Sequence, residues 1–409
     1  MVDISNIRKI TIVGTGFMGY GIAHVALLAG FDKVIIYDIK KESLDKAAEQ
    51  IEIGIKKCDE LGKLSEDLTA DILMSRLIKE LELKKAVEKA DFIIEAVPER
   101  LDLKREVYKK LGEYAPKNTI LASNTSFMDI SELGKASGRP EKVIGMHFLP
   151  PIIASRVIEV TKGVQTSDET MDICTTVGER LPCISGERYI ARIDKWRPGF
   201  IVNRLICTVA LYFSEIADHA IEKGIPWEQV DADIAVGEDS MGLCETLDYI
   251  GLDVIYDSMN YLKEALSPDF TLGKVFTELY EEGNFGAKIG KGFYEWPKKE
   301  RYFFEWTKEG RPKMDRSKKA GLIDLETIIA IEINEGCKLI EEGVVSGYEV
   351  IDDVMFLGLR EQWPGPFAIG NRLYKNLCVK LEDLAEKTRK NYFKPCDLMK
   401  SGAFINMRK

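Results

Sequence analysis

The chain has 409 residues, of which 45% are hydrophobic and 30% charged, and it carries a formal net charge of −10 at neutral pH. This length accommodates roughly two or three domains, and no compositional bias indicates disorder, a collagen or a coiled coil. An acidic surface repels phosphate polymers and anionic lipids, which argues against nucleic acid or a membrane as the main partner. Eight cysteines without a C-x-x-C pair predict a reduced, soluble cytoplasmic protein without a metal site.

The N-terminal segment has the pattern of a βαβ unit. Arg8–Gly14 is a short β-rich run, a helical pattern follows from Phe17 to Ala29, and Lys33–Asp38 has the composition of a second strand. A strand that passes through glycines into a helix is typical of a nucleotide-binding fold.

The connection between the first strand and the first helix matches G-x-G-x-x-G, with Gly14, Gly16, Phe17, Met18 and Gly19 as the cofactor-contacting residues. The pattern alone describes a tight turn equally well, but its position between a strand and a helix favours a dinucleotide pyrophosphate.

Asp38 ends the second strand and can accept hydrogen bonds from both ribose hydroxyls. Its carboxylate would repel a 2′-phosphate, so NAD is favoured over NADP. The alternative role for Asp38 is an N-cap of the next helix.

Further apolar runs alternate with helical stretches over roughly the first 190 residues and predict a parallel, doubly wound sheet. The runs are Phe92–Val97, Ile120–Ser123 and Val143–His147, and the clearest helices are Glu42–Leu61 and Asp102–Tyr114. Beyond Pro198 the apolar spacing is helical, over Ile201–Lys223, Trp227–Val236 and Leu243–Leu266. We therefore predict a nucleotide-binding domain at 1–196, a helical domain at 197–296, a connector at 297–323 and a second helical copy at 324–409.

Two pairs of segments support the second copy. AIEKGIPWEQVDADI, from Ala220, is similar to LIEEGVVSGYEVIDDV, from Leu339, and MGLCETLDYIG, from Met241, has a counterpart in PGPFAIGN, from Pro364. Glu-rich helices that end in Gly are common, so coincidence is the alternative to an internal duplication.

His147 ends an apolar strand, and Glu159 lies on the next strand segment. Ligands on such sheets bind at the carboxyl ends of strands, and a neighbouring carboxylate would make the imidazole a better base. A single histidine is more often structural, and we assign that role to His24 and His219.

With these residues in place, the chain resembles the 3-hydroxyacyl-CoA dehydrogenases. The matching motifs run in the same order over essentially Ile7 to Tyr294: GTGFMG, EAVPERLDLK, SNTS, HFLPP...VIEV, PGFIVNRL, LDYIGLD and GAKIGKGFY. The resemblance implies a Rossmann-type domain followed by an all-α domain that is duplicated in longer members.

The resemblance also implies residue roles. His147 would be the general base, Glu159 its orienting partner, and Ser126 and Asn203 would hold the reacting oxygen. The residues expected along the cofactor are Ser126, Glu99, Lys104 and Lys288. Without the ordered motifs, structural roles would be favoured: an N-cap or turn for Ser126, a helix hydrogen bond for Asn203 and solvated charges for the others.

Several features leave the substrate open. The family usually has Asn where this chain has Pro150, and an insertion at 184–195 could form a lid or a surface loop. Lys56, Lys57 and Lys63 could bind the 3′-phosphate of CoA, or they could belong to a solvated amphipathic helix.

The first hypothesis is an NAD-dependent dehydrogenase of short-chain L-3-hydroxyacyl-CoA. The second is a related dehydrogenase of a free 3-hydroxy acid, and the third is a non-catalytic NAD-binding structural protein. In single-copy relatives the helical domain pairs between subunits, so a second copy could replace that contact and leave a monomer or a different homodimer.

Overall fold

The computed structural model describes residues 3–64, 68–235, 240–297, 317–359 and 364–409. The chain forms two compact units that divide between Phe200 and Ile201. Residues 298–316 of the predicted connector lie outside the described residues, and the domain boundaries at 296 and 323 stay predictions.

An eight-stranded sheet organises the described part of the first unit, in the order β3-β2-β1-β4-β5-β6-β7-β8. The strands β1 to β6 run parallel to one another, as the sequence predicts. The strands are β1 (Lys9–Val13), β2 (Lys33–Tyr37), β3 (Leu77–Glu80), β4 (Phe92–Glu95), β5 (Ile120–Ser123), β6 (Val143–Phe148), β7 (Val157–Lys162) and β8 (Tyr189–Ile193).

The last two strands depart from the predicted parallel sheet. β7 pairs antiparallel with β6, and β8 then pairs parallel with β7. The antiparallel register places His147 directly opposite Glu159. The insertion at 184–195 contains β8, so the prediction of a lid or surface loop there is wrong for Tyr189–Ile193.

Apolar side chains cover both faces of the sheet. Ile10 and Ile12 of β1 belong to one buried cluster, and Val13 belongs to the cluster on the opposite side. This alternation is expected of a strand that is buried on both faces. The helices of this unit are α1 (Phe17–Leu28), α2 (Lys41–Glu60), α3 (Ala70–Ser75), α4 (Leu83–Val87), α5 (Leu101–Tyr114), α6 (Ile130–Ser137) and α7 (Asp168–Arg180), with a short 3-10 helix at Pro140–Lys142.

The described part of the second unit is helical, as predicted. The helical pattern over Leu243–Leu266 is divided in two at Gly251, whose φ of 110° is incompatible with a continuous helix. Short 3-10 helices lie at Asn371–Leu373, Asn391–Phe393 and Ala403–Asn406. The α-helices are α8 (Val202–Lys223), α9 (Trp227–Asp231), α10 (Leu243–Ile250), α11 (Leu252–Ala265), α12 (Lys274–Glu281), α13 (Leu325–Glu341), α14 (Glu349–Leu359), α15 (Pro366–Gly370), α16 (Tyr374–Thr388) and α17 (Asp397–Ser401).

An aspartate cap occurs at equivalent places in the two halves of this unit. Asp231 accepts hydrogen bonds from the backbone N–H groups of Cys244 and Glu245, at 2.7 and 3.1 Å, and so holds the start of α10. Asp352 accepts from Phe367 and Ala368, both at 2.9 Å, and holds the start of α15 in the same way. These pairs coincide with the segments whose similarity indicates an internal duplication.

A buried ion cluster joins the two halves. Arg204 of α8 is fully buried and lies 2.5 Å from Glu335 of α13, which is also fully buried. Glu342 and Tyr392 complete the cluster around the guanidinium.

None of the helices described combines the length and apolar content that a bilayer-spanning helix requires.

Candidate active site

The glycine-rich turn after β1 has two glycines that the fold requires and one that it does not. A Cβ on Gly19 would lie 1.9 Å from the carbonyl oxygen of Gly14, and Gly14 itself has a φ of 97°. A Cβ on Gly16 would meet nothing within 4 Å. Gly16 precedes α1, whose first N–H groups receive no side-chain cap. An open approach to a helix N-terminus fits the pyrophosphate of a dinucleotide.

Asp38 lies beside this turn. Its Oδ2 accepts hydrogen bonds from the backbone N–H and the hydroxyl of Thr15, at 3.1 and 3.0 Å, and its Oδ1 accepts from the N–H of Lys40. Lys40, not Asp38, occupies the N-cap position of α2. Asp38 thus stabilises the glycine-rich turn, and its contact with the adenosine ribose stays a prediction.

His147 and Glu159 form a buried pair at the carboxyl end of β6. Nδ1 of His147 lies 2.7 Å from Oε2 of Glu159, and the two side chains are 6% and 0% exposed. A carboxylate can only accept, so Nδ1 carries a proton, and in the neutral form of the ring the lone pair is then on Nε2. The ring of Phe200 packs edge-on against the imidazole, with centroids 5.6 Å apart. Glu159 and Phe200 therefore fix the orientation of the imidazole, and Nε2 faces Ser126.

Ser126 meets that nitrogen. Its hydroxyl lies 2.9 Å from Nε2 of His147 and donates to it in this tautomer. Asn124, two residues earlier, accepts the backbone N–H of Phe148 through its side-chain oxygen at 2.9 Å. The loop after β5 is therefore tied to the end of β6, and Ser126, His147 and Glu159 form one hydrogen-bonded series.

Glu99 and Lys104 belong to a second polar cluster that touches this series. Lys104 is 1% exposed, and its ammonium lies 2.6 Å from Glu95 and 3.2 Å from Glu99. Burial opposes the charge, but the two facing carboxylates outweigh it and raise the pKa of Lys104. Glu99, which is partly exposed, accepts from the backbone N–H of Ser126 at 3.1 Å and from the hydroxyl of Thr125. Contacts of Glu99 and Lys104 with the cofactor stay predictions.

Sequence reasoning missed Glu95. This residue ends β4 and is fully buried, although it carries a carboxylate. An acidic residue at the end of an apolar strand, nine positions before a lysine, is the signal that could have identified it.

Two of the remaining candidates belong to the second unit. Asn203 is in the first turn of α8, in the second unit. Lys288 is also in that unit and forms an ion pair with Asp253. Their roles at the reaction centre stay predictions.

The lysines proposed to bind CoA are exposed on or just beyond α2. Lys56 pairs with Glu52 at 2.5 Å, and Lys57 pairs with Glu60 at 3.0 Å. These pairs are those of a solvated helix, the alternative interpretation. Lys63 lies beyond the end of α2 and is exposed. Among the described residues, no three His, Cys, Asp or Glu side chains are grouped so that they could hold a metal ion.

A nucleotide-binding turn on a doubly wound sheet, with a buried His–Glu pair at the same sheet edge, defines the class of nicotinamide-dependent dehydrogenases. Residues 9–182 match the family model "3-hydroxyacyl-CoA dehydrogenase, NAD binding domain", and residues 199–296 match "3-hydroxyacyl-CoA dehydrogenase, C-terminal domain". The chain therefore belongs to the 3-hydroxyacyl-CoA dehydrogenase family and is an NAD-dependent oxidoreductase.

Individual relatives agree with this assignment. The chain is 34% identical over 290 residues to a probable 3-hydroxybutyryl-CoA dehydrogenase of Deinococcus radiodurans, covering 70% of this chain and 100% of the relative. It is 32% identical over 300 residues to human mitochondrial hydroxyacyl-coenzyme A dehydrogenase, covering 71% of this chain and 91% of the relative.

Two solved structures are informative. The crystal structure of 3-hydroxybutyryl-CoA dehydrogenase from Escherichia coli K12 superposes with a TM-score of 0.79 at 25% identity and covers 98% of this chain and 99% of that one. A diketoreductase structure, described as catalysing reactions of dicarbonyl compounds, superposes with a TM-score of 0.56 at 28% identity, covering 71% of this chain and 99% of that one. The first similarity extends over the helical segments that follow residue 324.

Proposed function

We propose that this protein oxidises the 3-hydroxyl of a short-chain L-3-hydroxyacyl-CoA to the 3-oxo compound, or catalyses the reverse reduction. The observation that carries the proposal is the hydrogen-bonded series of Ser126, His147 and Glu159 at the carboxyl edge of a dinucleotide-binding sheet. A short acyl chain is supported by relatives named 3-hydroxybutyryl-CoA dehydrogenase.

The proposed mechanism depends on which nitrogen of the imidazole carries the proton. Glu159 fixes the proton on Nδ1, so Nε2 of His147 takes the proton of the 3-hydroxyl. Bound NAD supplies the acceptor for the hydride that leaves the same carbon. Glu159 stabilises the imidazolium that forms, while Ser126 holds the reacting oxygen. General base catalysis of this kind contributes roughly 10²- to 10⁴-fold to the rate.

A second candidate is a dehydrogenase of a free 3-hydroxy acid or a related carbonyl compound. Pro150 replaces the expected Asn and removes a side-chain donor, and Lys56 and Lys57 are already paired with carboxylates of their own helix. The similarity to a diketoreductase at 28% identity supports the same alternative.

Steady-state formation of NADH separates the two candidates. With 3-hydroxybutyryl-CoA we expect turnover at least about 100-fold more efficient than with 3-hydroxybutyrate, as differential binding of the CoA portion requires. Preference for the free acid would favour the second candidate. Absence of turnover with both substrates, while NAD still raises the melting temperature, would favour a non-catalytic NAD-binding protein. In the variant His147→Gln, turnover should fall by orders of magnitude while NAD affinity stays the same.

We also propose that the second helical copy covers, within one chain, the surface that single-copy relatives pair between subunits. The support is the contact of α8 with α13 through Arg204 and Glu335. Light scattering should then give the mass of a monomer, or of a dimer that does not use the first copy. A dimer whose cross-links map to α8 of both subunits would contradict this.

Finally, we propose that the protein works in the cytoplasm. All eight cysteines are free thiols and most are buried, which agrees with a reducing compartment. Subcellular fractionation of the native protein checks this assignment.

A further inference from the structure

Glu95 is a fully buried carboxylate that the proposed mechanism does not use. One of its oxygens accepts from the backbone N–H of Val97 at 2.7 Å and from the ammonium of Lys104 at 2.6 Å. The other accepts from the hydroxyl of Ser123 at 2.7 Å. A carboxylate is costly to bury and is retained only where every oxygen is satisfied, as here. Its donors come from β5, α5 and the loop after β4, so Glu95 fixes three elements at the carboxyl edge of the sheet.

From Glu95 a series of charged contacts leads to the reaction centre. Lys104, pinned by Glu95, also lies 3.2 Å from Glu99. Glu99 in turn accepts the backbone N–H of Ser126, whose hydroxyl meets His147. Glu99 is 42% exposed, so water would compete for its carboxylate if the ammonium were not held in place. The position of Ser126 is therefore coupled to a buried anion two side chains away.

We propose that Glu95 is a positioning residue for the hydrogen transfer. It holds Lys104 so that the ammonium fixes Glu99, and Glu99 fixes the backbone of Ser126 at hydrogen-bonding distance from His147. The inference rests on the proposed function. It adds a requirement for a residue that touches neither substrate nor cofactor.

The variant Glu95→Gln removes the charge and keeps the shape of the side chain. Among the described residues Lys104 then keeps one carboxylate partner, Glu99, and the two can move toward each other and away from Ser126. We expect kcat with 3-hydroxybutyryl-CoA to fall by about 10- to 100-fold, as a displacement of about 1 Å produces, with a smaller change in the dissociation constant of NAD. The matched control is Glu132→Gln, because Glu132 is paired with Arg105 and Lys135 at the surface. That control should keep the kcat of the unmodified enzyme.

A double variant distinguishes positioning from simple neutralisation of a buried ammonium. Glu95→Gln with Lys104→Met removes both charges and should recover the melting temperature of the unmodified enzyme. If Glu95 acts by positioning, kcat stays low in the double variant, because Glu99 has lost the ammonium that holds it. Recovery of both kcat and melting temperature would overturn the proposal.

Two further measurements test the proposal if Glu95→Gln does not fold or if 3-hydroxybutyryl-CoA is not the substrate. Ser123→Ala keeps both charges and removes the hydrogen bond from Ser123 to Glu95, together with the longer one, at 3.3 Å, that its hydroxyl accepts from the backbone N–H of Thr125. The kcat should therefore fall several-fold. An unchanged kcat in that variant would overturn the proposal. The imidazole NMR signals of His147 need no substrate, and only three histidines have to be distinguished. They should shift in Glu95→Gln and stay unchanged in Glu132→Gln. Unshifted signals contradict the positioning role even if the proposed substrate fails.

Discussion

Replacing Glu159 by glutamine removes one buried negative charge and leaves the size of the side chain nearly unchanged. The amide oxygen of the new residue can still accept the proton on Nδ1 of His147, so the ground state keeps its hydrogen bond and tautomer. In the proposed mechanism the difference arises in the transition state, where the imidazole has taken the substrate proton and carries a positive charge. The variant therefore tests charge stabilisation separately from orientation.

The magnitude follows from the geometry. Nδ1 and Oε2 are 2.7 Å apart, and the two side chains are 6% and 0% exposed, so water screens them little. Delocalisation places the charge centres about 4 Å apart, and an effective dielectric of about 20 gives an attraction of about 4 kcal/mol. The neutral amide retains a small part of this. With 1.36 kcal/mol per factor of ten, we expect kcat to fall by about 10²- to 10³-fold.

The assay is the initial rate of NADH formation with saturating NAD and 3-hydroxybutyryl-CoA. NAD affinity, measured by titration without substrate, should be unchanged, because Glu159 lies on the far side of the imidazole from Nε2. The control is Glu106→Gln, whose carboxylate pairs with Lys110 on the exposed surface of α5. A decrease of less than about tenfold in Glu159→Gln would refute the role of this carboxylate in stabilising the imidazolium.

Three further predictions concern other parts of the molecule. Gly16→Ala should leave the melting temperature of the free protein unchanged but abolish its increase with NAD, whereas Gly19→Ala should lower the melting temperature itself, because the added Cβ would lie 1.9 Å from a backbone oxygen. Equal behaviour of these two variants in a thermal shift assay would contradict the assignment of the turn. Arg204→Met leaves Glu335 buried without its main cation and should lower the free energy of unfolding by about 3–5 kcal/mol, seen as a lower urea midpoint; an unchanged midpoint would contradict this. Burial raises the pKa of Asp352 to about 7, so its contribution to stability is complete below the unfolded value of about 4 and is lost as the pH rises through 7. The free energy of unfolding, measured with urea from about pH 4 to about pH 7, should fall less in Asp352→Asn than in the unmodified protein. An equal decrease in the two proteins would contradict a raised pKa of Asp352.

Much of the nucleotide-binding half could be predicted because its signals are local. The glycine-rich turn, the strand before it and the helix after it lie within a short stretch of sequence, and the structure has each of them. The pairing of His147 with Glu159 could also be predicted, since both residues lie in apolar runs next to each other along the chain. The family match supports the overall class of activity.

Other features depend on tertiary context that periodicity does not encode. The apolar run Val157–Lys162 has the same pattern in either direction, so the sequence does not indicate that β7 is antiparallel to β6. β3 is short and only partly buried, and β8 lies within an insertion that has no strong strand pattern. The role of Glu95 depends on Lys104 and Ser123, which are close to it only after folding.

The antiparallel pairing of β6 with β7 has a consequence for how this enzyme can change. Main-chain hydrogen bonds on either side of the hairpin, and not the hairpin connection itself, set the imidazole opposite its carboxylate. The intervening segment, Leu149–Arg156, does not set this register, but Ile152 and Ile153 pack in the core and Arg188 donates to two of its carbonyl oxygens. We therefore expect only exchanges that keep these buried contacts to leave the His147–Glu159 pair undisturbed. Exposed positions of the segment, such as Pro150, are where we expect substrate preference to change while the paired strands stay as they are.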